Sequence, residues 1–256
     1  MVRTIDLNCD MGEAFGIYQF GADLDIIKSI SSANIACGWH AGDPLVMDAR
    51  VKLCKEHGVA VGAHPGFPDL MGFGRRNMQC SPAETRAYVL YQLGALHAFV
   101  QSHGLKLRHV KAHGNLYNMA AVDITMATAI AEAVASFDST LVFVGLAGSH
   151  LCAAGKAAGL RVASEVFADR AYQADGNLVP RGQPGAVFHE VDQAVQRIVQ
   201  LVEQGTLTAY DGSIIEVQGD TICLHGDTPG AADYACAVRE QLENRGIAIC
   251  AMGSPS

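Results

Sequence analysis

Short runs rich in β-branched and apolar residues alternate with longer stretches of helical periodicity along almost the whole chain. The strand candidates are RTIDLN, ANIAC, VAVGAH, RHVKAH, LVFVGL, RVASEVF and TICLH. Between them, DPLVMDARVKLCKEHG repeats its apolar residues at helical spacing and stops at Gly58, a C-cap position. The stretch SPAETRAYVLYQLGALHAFVQSHG begins with Ser81 as N-cap, Pro82 in the first turn and Glu84 completing a capping box, and stops at Gly104. Strand then helix, repeated about seven times, calls for parallel strands joined by right-handed crossovers. The α/β pattern predicts a closed parallel barrel or an open doubly wound sheet. One interruption, TLTAYDGSIIEV near 206–217, reads as an inserted hairpin with a two-residue Asp211-Gly212 turn. Residues 1–250 are expected to form one domain, and 251–256 a disordered tail.

The polar residues collect at one end of these strands. Asp10 and Glu13 follow the first, His40 and Asp43 the second and His64 the third. Lys111, His113 and Asn115 follow the fourth, Glu165, Asp169 and Arg170 the sixth, and His225 and Asp227 the last. In a parallel barrel this end is where active sites form. Residues two apart on a strand share a face, so Asp6, Asn8 and Asp10 point one way and Ile5, Leu7 and Cys9 the other. Lys111 and His113 share a face, as do Cys223 and His225. Outward residues pack on helices and must be apolar, which sends the polar set into the barrel. An inward Lys111 costs several kcal/mol to bury unpaired, so a carboxylate or a bound anion must face it. Asp43 before Pro44 reads as a helix N-cap, and HGDTPG would open the last helix with its N–H groups free for an anion. His57, His97, His103, His109, His150 and His189 read as structural or surface residues. Cys37 near His40 has the spacing of a thiol nucleophile and base, but a buried thiol is the commoner case.

Composition narrows the partners. Only 17% of the 256 residues are charged, against roughly 25% in an average domain, which predicts surface covered by other chains or by a homo-oligomer. A net charge of −8 with no Lys/Arg cluster argues against nucleic acid. The opening MVRTIDLN lacks a signal-peptide core, and no apolar run approaches the ~18 residues that span a bilayer. The expected location is the cytoplasm, away from membranes. Eight cysteines without CxxC spacing are then expected to be reduced.

The motifs NCDMGE, SANIACGWHAGDP, GAHPGFPDLMGFGRR, VKAHGNLYN, LAGS, EVFADRAYQADGNLVPRGQPGA and CLHGD, in this order, resemble the LamB/YcsF family, the A subunits of prokaryotic ATP-dependent 5-oxoprolinase. The resemblance runs from about residue 3 to 250, with Trp39 where the family pattern has Phe and Ala112 where it has Pro. It implies a variant, seven-stranded β/α barrel of the glycoside hydrolase/deacetylase type. It also implies opening of the lactam of 5-oxo-L-proline (pyroglutamate) to L-glutamate, with ATP hydrolysis, in a complex with subunits B and C. AAGKAAG around Lys156 lacks the spacing of a phosphate-binding loop, so ATP with its Mg2+ is expected mainly on the partners. Asp10 or Glu13 is the expected base for water, and Lys111, His113 and the HGDTPG amides are expected to stabilise oxyanion or phosphate charge. Asn8, His40, His64, Glu165, Arg170, His225 and Asp227 are expected to surround the substrate. Two other readings stay open: a metal-dependent amidohydrolase or deacetylase with Asp10, His40 and His64 as ligands, and a non-catalytic scaffold.

Overall fold

A computed structural model describes residues 3–18, 22–180, 182–188, 190–224 and 230–253. Its elements follow the strand–helix alternation: β1 (Arg3–Met11), α1 (Asp23–Ile26), β2 (Ser32–Ala36), α2 (Pro44–His57), β3 (Ala60–His64), α3 (Pro82–Ser102), β4 (Leu107–Lys111), α4 (Gly114–Val122), α5 (Ile124–Phe137), β5 (Val142–Leu146), α6 (His150–Ala157), β6 (Arg161–Phe167), α7 (Val191–Gln204), β7 (Thr206–Thr208), β8 (Ile214–Glu216), β9 (Thr221–Leu224), α8 (Ala231–Glu243) and β10 (Ile247–Ile249). Local chemistry starts the two longest early helices. Asp43 Oδ1 accepts from the N–H groups of Leu45 (2.8 Å) and Val46 (3.1 Å), and Ser81 and Glu84 form the reciprocal capping box.

Every pairing in the main sheet is parallel. The order β1-β2-β3-β4-β5-β6-β9 closes by pairing β9 back onto β1, a seven-stranded ring. The short β10, which strand patterning alone did not reveal, pairs with the first residues of β1, below the stretch that β9 occupies. Leu7, Cys9 and Met11 point out into the apolar layer beneath the helices, whereas Asp6, Asn8 and Asp10 point into the ring.

The insertion is a separate antiparallel pair, β7–β8. Five residues join its strands rather than two, because Asp211 accepts from the N–H and hydroxyl of Ser213 and shapes a wider turn. The tail is also packed where it is described: Met252 is buried against Val142, Val144 and Ala163, and its N–H reaches Asp6 Oδ1 (3.3 Å). Disorder from 251 is therefore corrected for residues 251–253. Among the described residues no single helix is long and apolar enough to cross a membrane; only α4 and α5 together have the length, bent by 119°.

Candidate active site

The barrel interior is a stack of hydrogen-bonded polar layers. At the base Asp6 accepts from Ser31 Oγ (2.7 Å), Ser32 Oγ (2.6 Å) and Thr221 Oγ1. One layer up, Asn8 Nδ2 donates to Glu165 Oε1 (3.1 Å) and Thr221 Oγ1 (2.7 Å), while Asn34 Nδ2 donates to Asn8 Oδ1 (2.7 Å) and Asp10 Oδ1 (2.8 Å). His109 Nε2 donates to Asn34 Oδ1 at 2.7 Å. Burial, then the Lys111 charge, pushes His109 down to about 3, so it is neutral. Its ring crosses over Gly62, where a Cβ would lie 2.0 Å from Nε2; only glycine leaves room.

Lys111 occupies the next level, with Nζ 2.7 Å from Glu165 Oε1, 3.0 Å from Asp10 Oδ1 and 3.1 Å from Cys223 Sγ. Burial works against its charge, but Asp10, Cys223 and Glu165 outweigh burial and hold the ammonium well above its ordinary range. Burial likewise opposes ionisation of Asp10. The His64 and Lys111 charges and the His64 hydrogen bond prevail, and Asp10 is held well below the usual carboxylate range. The second Glu165 oxygen accepts from Tyr117 OH (2.6 Å).

Three imidazoles and Glu13 complete the upper level. His64 Nε2 lies 3.2 Å from Asp10 Oδ2 and 3.0 Å from His113 Nδ1. Glu13 Oε1 lies 3.2 Å from His113 Nδ1 and 3.4 Å from His40 Nε2. His40 stacks on His113 with ring centroids 3.6 Å apart and planes parallel to 1°. Burial, then His113, pushes His40 down to about 3 and keeps it neutral. A Cβ on Gly74 would sit 2.8 Å from His113 Cδ2 and 2.9 Å from His40 Cβ, so the loop closes over the stacked pair only with glycine there.

A cavity of about 500 Å³ opens above this level. Asp10, His64, Lys111 and His113 form its floor, and Arg75, Arg170, Asn115, Tyr117 and Asn177 are among the side chains around it. The irregular segment after β6 supplies one wall. It is held by Tyr172 OH, which accepts from the Phe167 N–H (2.9 Å), and by Arg170 Nη2, which donates to the Val179 carbonyl (2.7 Å).

Of the residues expected at the site, Asp10, Glu13, His40, His64, Lys111 and His113 come together, with Arg170 beside the cavity. Asn8 and Glu165, expected to touch substrate, are fully buried below Lys111 and position it instead. His225 and Asp227 lie outside the described residues, as does His189. His109 is structural, buried inside the barrel as a member of the inner network; its parity with Lys111 could have placed it there. Tyr117 and Arg75 were missed, since each reaches inward from a helix or loop where parity says nothing. Cys37 is no nucleophile: burial pushes its thiol up to about 12, and Sγ–H donates to the Ile35 carbonyl (3.1 Å). The metal set Asp10, His40 and His64 does not converge as such, because His40 faces Glu13 and not Asp10.

A closed parallel barrel that gathers its ionisable side chains at the carboxyl ends of the strands has the layout of a β/α-barrel enzyme. The chain belongs to the LamB/YcsF family, whose model matches residues 5–256. It is 53% identical over 254 residues to the 5-oxoprolinase A subunit of Syntrophobacter fumaroxidans, covering 99% of this chain and 100% of that protein. The 5-oxoprolinase A subunit of Geobacillus kaustophilus is 54% identical over 248 residues, 97% of this chain and 96% of that one. The crystal structure of the lactam utilization protein from Thermus thermophilus superposes with a TM-score of 0.94 at 48% identity, over 97% of this chain and 100% of that chain.

Proposed function

We propose that this chain is the A subunit of an ATP-dependent 5-oxoprolinase. Its barrel holds 5-oxo-L-proline, or the form phosphorylated on the lactam oxygen, while water opens the ring to L-glutamate. The names of the relatives supply the reaction, and one observation supports placing it in this cavity. An ionised carboxylate, two imidazoles and a buried ammonium face the same 500 Å³ space.

Hydrolysis adds the water oxygen to the lactam carbonyl carbon, breaks the C–N bond and leaves a proton on the ring nitrogen. An unstrained lactam resists this, and phosphorylation of its oxygen by ATP turns the ring carbon into an electrophilic imidate: water adds there, the C–N bond breaks as the nitrogen takes a proton, and the acyl phosphate so formed is cleaved by a second water to glutamate and phosphate. Asp10 is oriented for the proton step: Oδ1 is occupied by Lys111 and Asn34, and Oδ2 remains with His64 at the cavity floor. Its depressed affinity for protons makes it a weak base alone, so Asp10 and His64 act as a pair. Lys111 faces the developing oxyanion or phosphate, His113 lies beside it at the cavity floor, and Arg75 and Arg170 offer positive charge to the substrate carboxylate. Subunits B and C carry the ATP site and its Mg2+.

ATP-dependent release of glutamate from 5-oxoproline, measured for this chain with and without both partners, tests the reading. Turnover is expected only in the mixture. Equal turnover without the partners defeats the division of labour. Unchanged turnover on Lys111→Met leaves the chain a scaffold.

A further inference from the structure

The protons at the top of the barrel do not balance. His64 Nδ1 is 2.8 Å from the Lys111 carbonyl and His113 Nε2 is 2.8 Å from the Phe73 carbonyl, which assigns an N–H to each of these nitrogens. The remaining nitrogens, His64 Nε2 and His113 Nδ1, face each other across 3.0 Å, so unless a cation, a proton or a metal, lies between them two lone pairs oppose. Their other neighbours are acceptors as well: Asp10 Oδ2 at 3.2 Å from the first and Glu13 Oε1 at 3.2 Å from the second. Glu13 Oε1 and both nitrogens of His40 are buried without a hydrogen-bond partner. Such convergence needs positive charge at its centre.

We infer that His64 Nε2, His113 Nδ1 and the Glu13 carboxylate bind a divalent transition metal, zinc or a similar first-row ion, with an open position toward the cavity. The ligand atoms of Glu13, His40, His64 and His113 all lie within 4.8 Å of one another. The adjacent pairs at 3.0 and 3.2 Å approach the roughly 3.3 Å edge of a tetrahedron with ~2.0–2.1 Å bonds. Two imidazoles and one carboxylate suit zinc, iron or nickel rather than magnesium or calcium. The backbone carbonyls behind both imidazoles are the outer partners that fix ligand tautomers in metal sites. One of them comes at a conformational cost, since Phe73 holds a left-handed φ of 54°. His40 is a positioning residue: parallel to His113 and 3.6 Å above it, its ring cannot share an in-plane centre with that ligand and packs that ligand's ring in place, with Nε2 3.4 Å from Glu13 Oε1. Asp10 borders the open side.

The site shares His64 and His113 with the proposed reaction and would put a metal where their shared proton lies, but its test needs no 5-oxoproline, ATP or partner chain. Full-length chain purified without chelator should carry about one transition-metal equivalent, removable by chelator and restored by Zn2+ or Co2+. His113→Gln and Glu13→Gln, checked for folding by circular dichroism, should each weaken Co2+ binding by more than the ~10–100-fold that loss of an outer partner costs. His103→Gln, at the far end of α3, should leave it unchanged. X-ray absorption of the zinc-loaded wild type requires no variant and should show two imidazoles with oxygen. Failure of wild-type chain to bind Zn2+, Co2+ or Mn2+ stoichiometrically, an absorption spectrum without imidazole, or wild-type binding in His113→Gln overturns the site and leaves a shared proton between His64 and His113.

Discussion

The base and the mouth of this barrel hold buried carboxylates in opposite ways. Asp6 at the base is surrounded by neutral donors, the hydroxyls of Ser31, Ser32 and Thr221 and the Met252 N–H. Burial raises its proton affinity despite them. Asp10, four residues along the same strand face, meets Lys111 and His64 and is held well below the ordinary range. The base is satisfied and closed by Val142, Val144, Ala163 and Met252. At the mouth, charge and lone pairs are left facing a cavity. Satisfied donors make a plug, whereas unbalanced ones make a site that a substrate or ion must complete.

The sharpest way to break this contrast is Lys111→Met. It strands Asp10 and Glu165 without their shared cation, and should cost about 3–5 kcal/mol of stability and on the order of 10²-fold or more in the turnover of the assembled complex. Denaturant titration and glutamate release read the two separately. Asp10→Asn keeps the shape and removes the negative charge. Turnover should fall by on the order of 10²-fold with assembly intact, and near-normal turnover would take Asp10 out of the mechanism. Gly62→Ala drives a methyl into the His109 ring and should destabilise by about 1–3 kcal/mol or more, seen as a lower Tm; an unchanged Tm would mean that the inner layers yield easily.

Asp6→Asn sharpens the comparison from the base. A carboxyl with raised folded-state pKa contributes stability that is full below its unfolded value near 3.8 and declines as pH rises through the higher folded value. Wild type should therefore lose stability relative to Asp6→Asn as pH climbs above about 4, while turnover stays within a few-fold. A gap that closes with rising pH contradicts the account. Cys9→Ala is the smallest change: Cys9 faces the helices and turnover should stay within a few-fold. Selective inactivation through Cys9 would reopen thiol chemistry.

Much of the layout is legible in the residue pattern alone. Alternation along β1 places Asp6, Asn8 and Asp10 inside and Cys9 outside because a strand reverses its side chains at every residue. The Asp43 and Ser81 caps are equally local, since an N-cap is satisfied within three residues of itself. Several errors share a cause. The same parity that turned Lys111 inward also turns His109 inward, but reading polar groups only from strand ends left it out. Tyr117 and Arg75 approach from a helix and a loop, and β10 has only three residues with which to announce itself.

By itself, the sequence determined the strand–helix order, the inward set on each strand and the end of the barrel where chemistry collects. These follow from periodicities of two and about 3.6 residues acting over short spans. Which inward residues meet was decided by the tertiary structure. Ring closure pairs β9 with β1, and strand register sets the height of each side chain. Lys111 thereby falls between Asp10 and Glu165, residues 101 and 54 positions away along the chain. The pairing of His40 and His113 with Glu13, in place of a set of Asp10, His40 and His64, is of the same kind. No local rule reaches across a barrel, because distances around the ring depend on every strand's register at once.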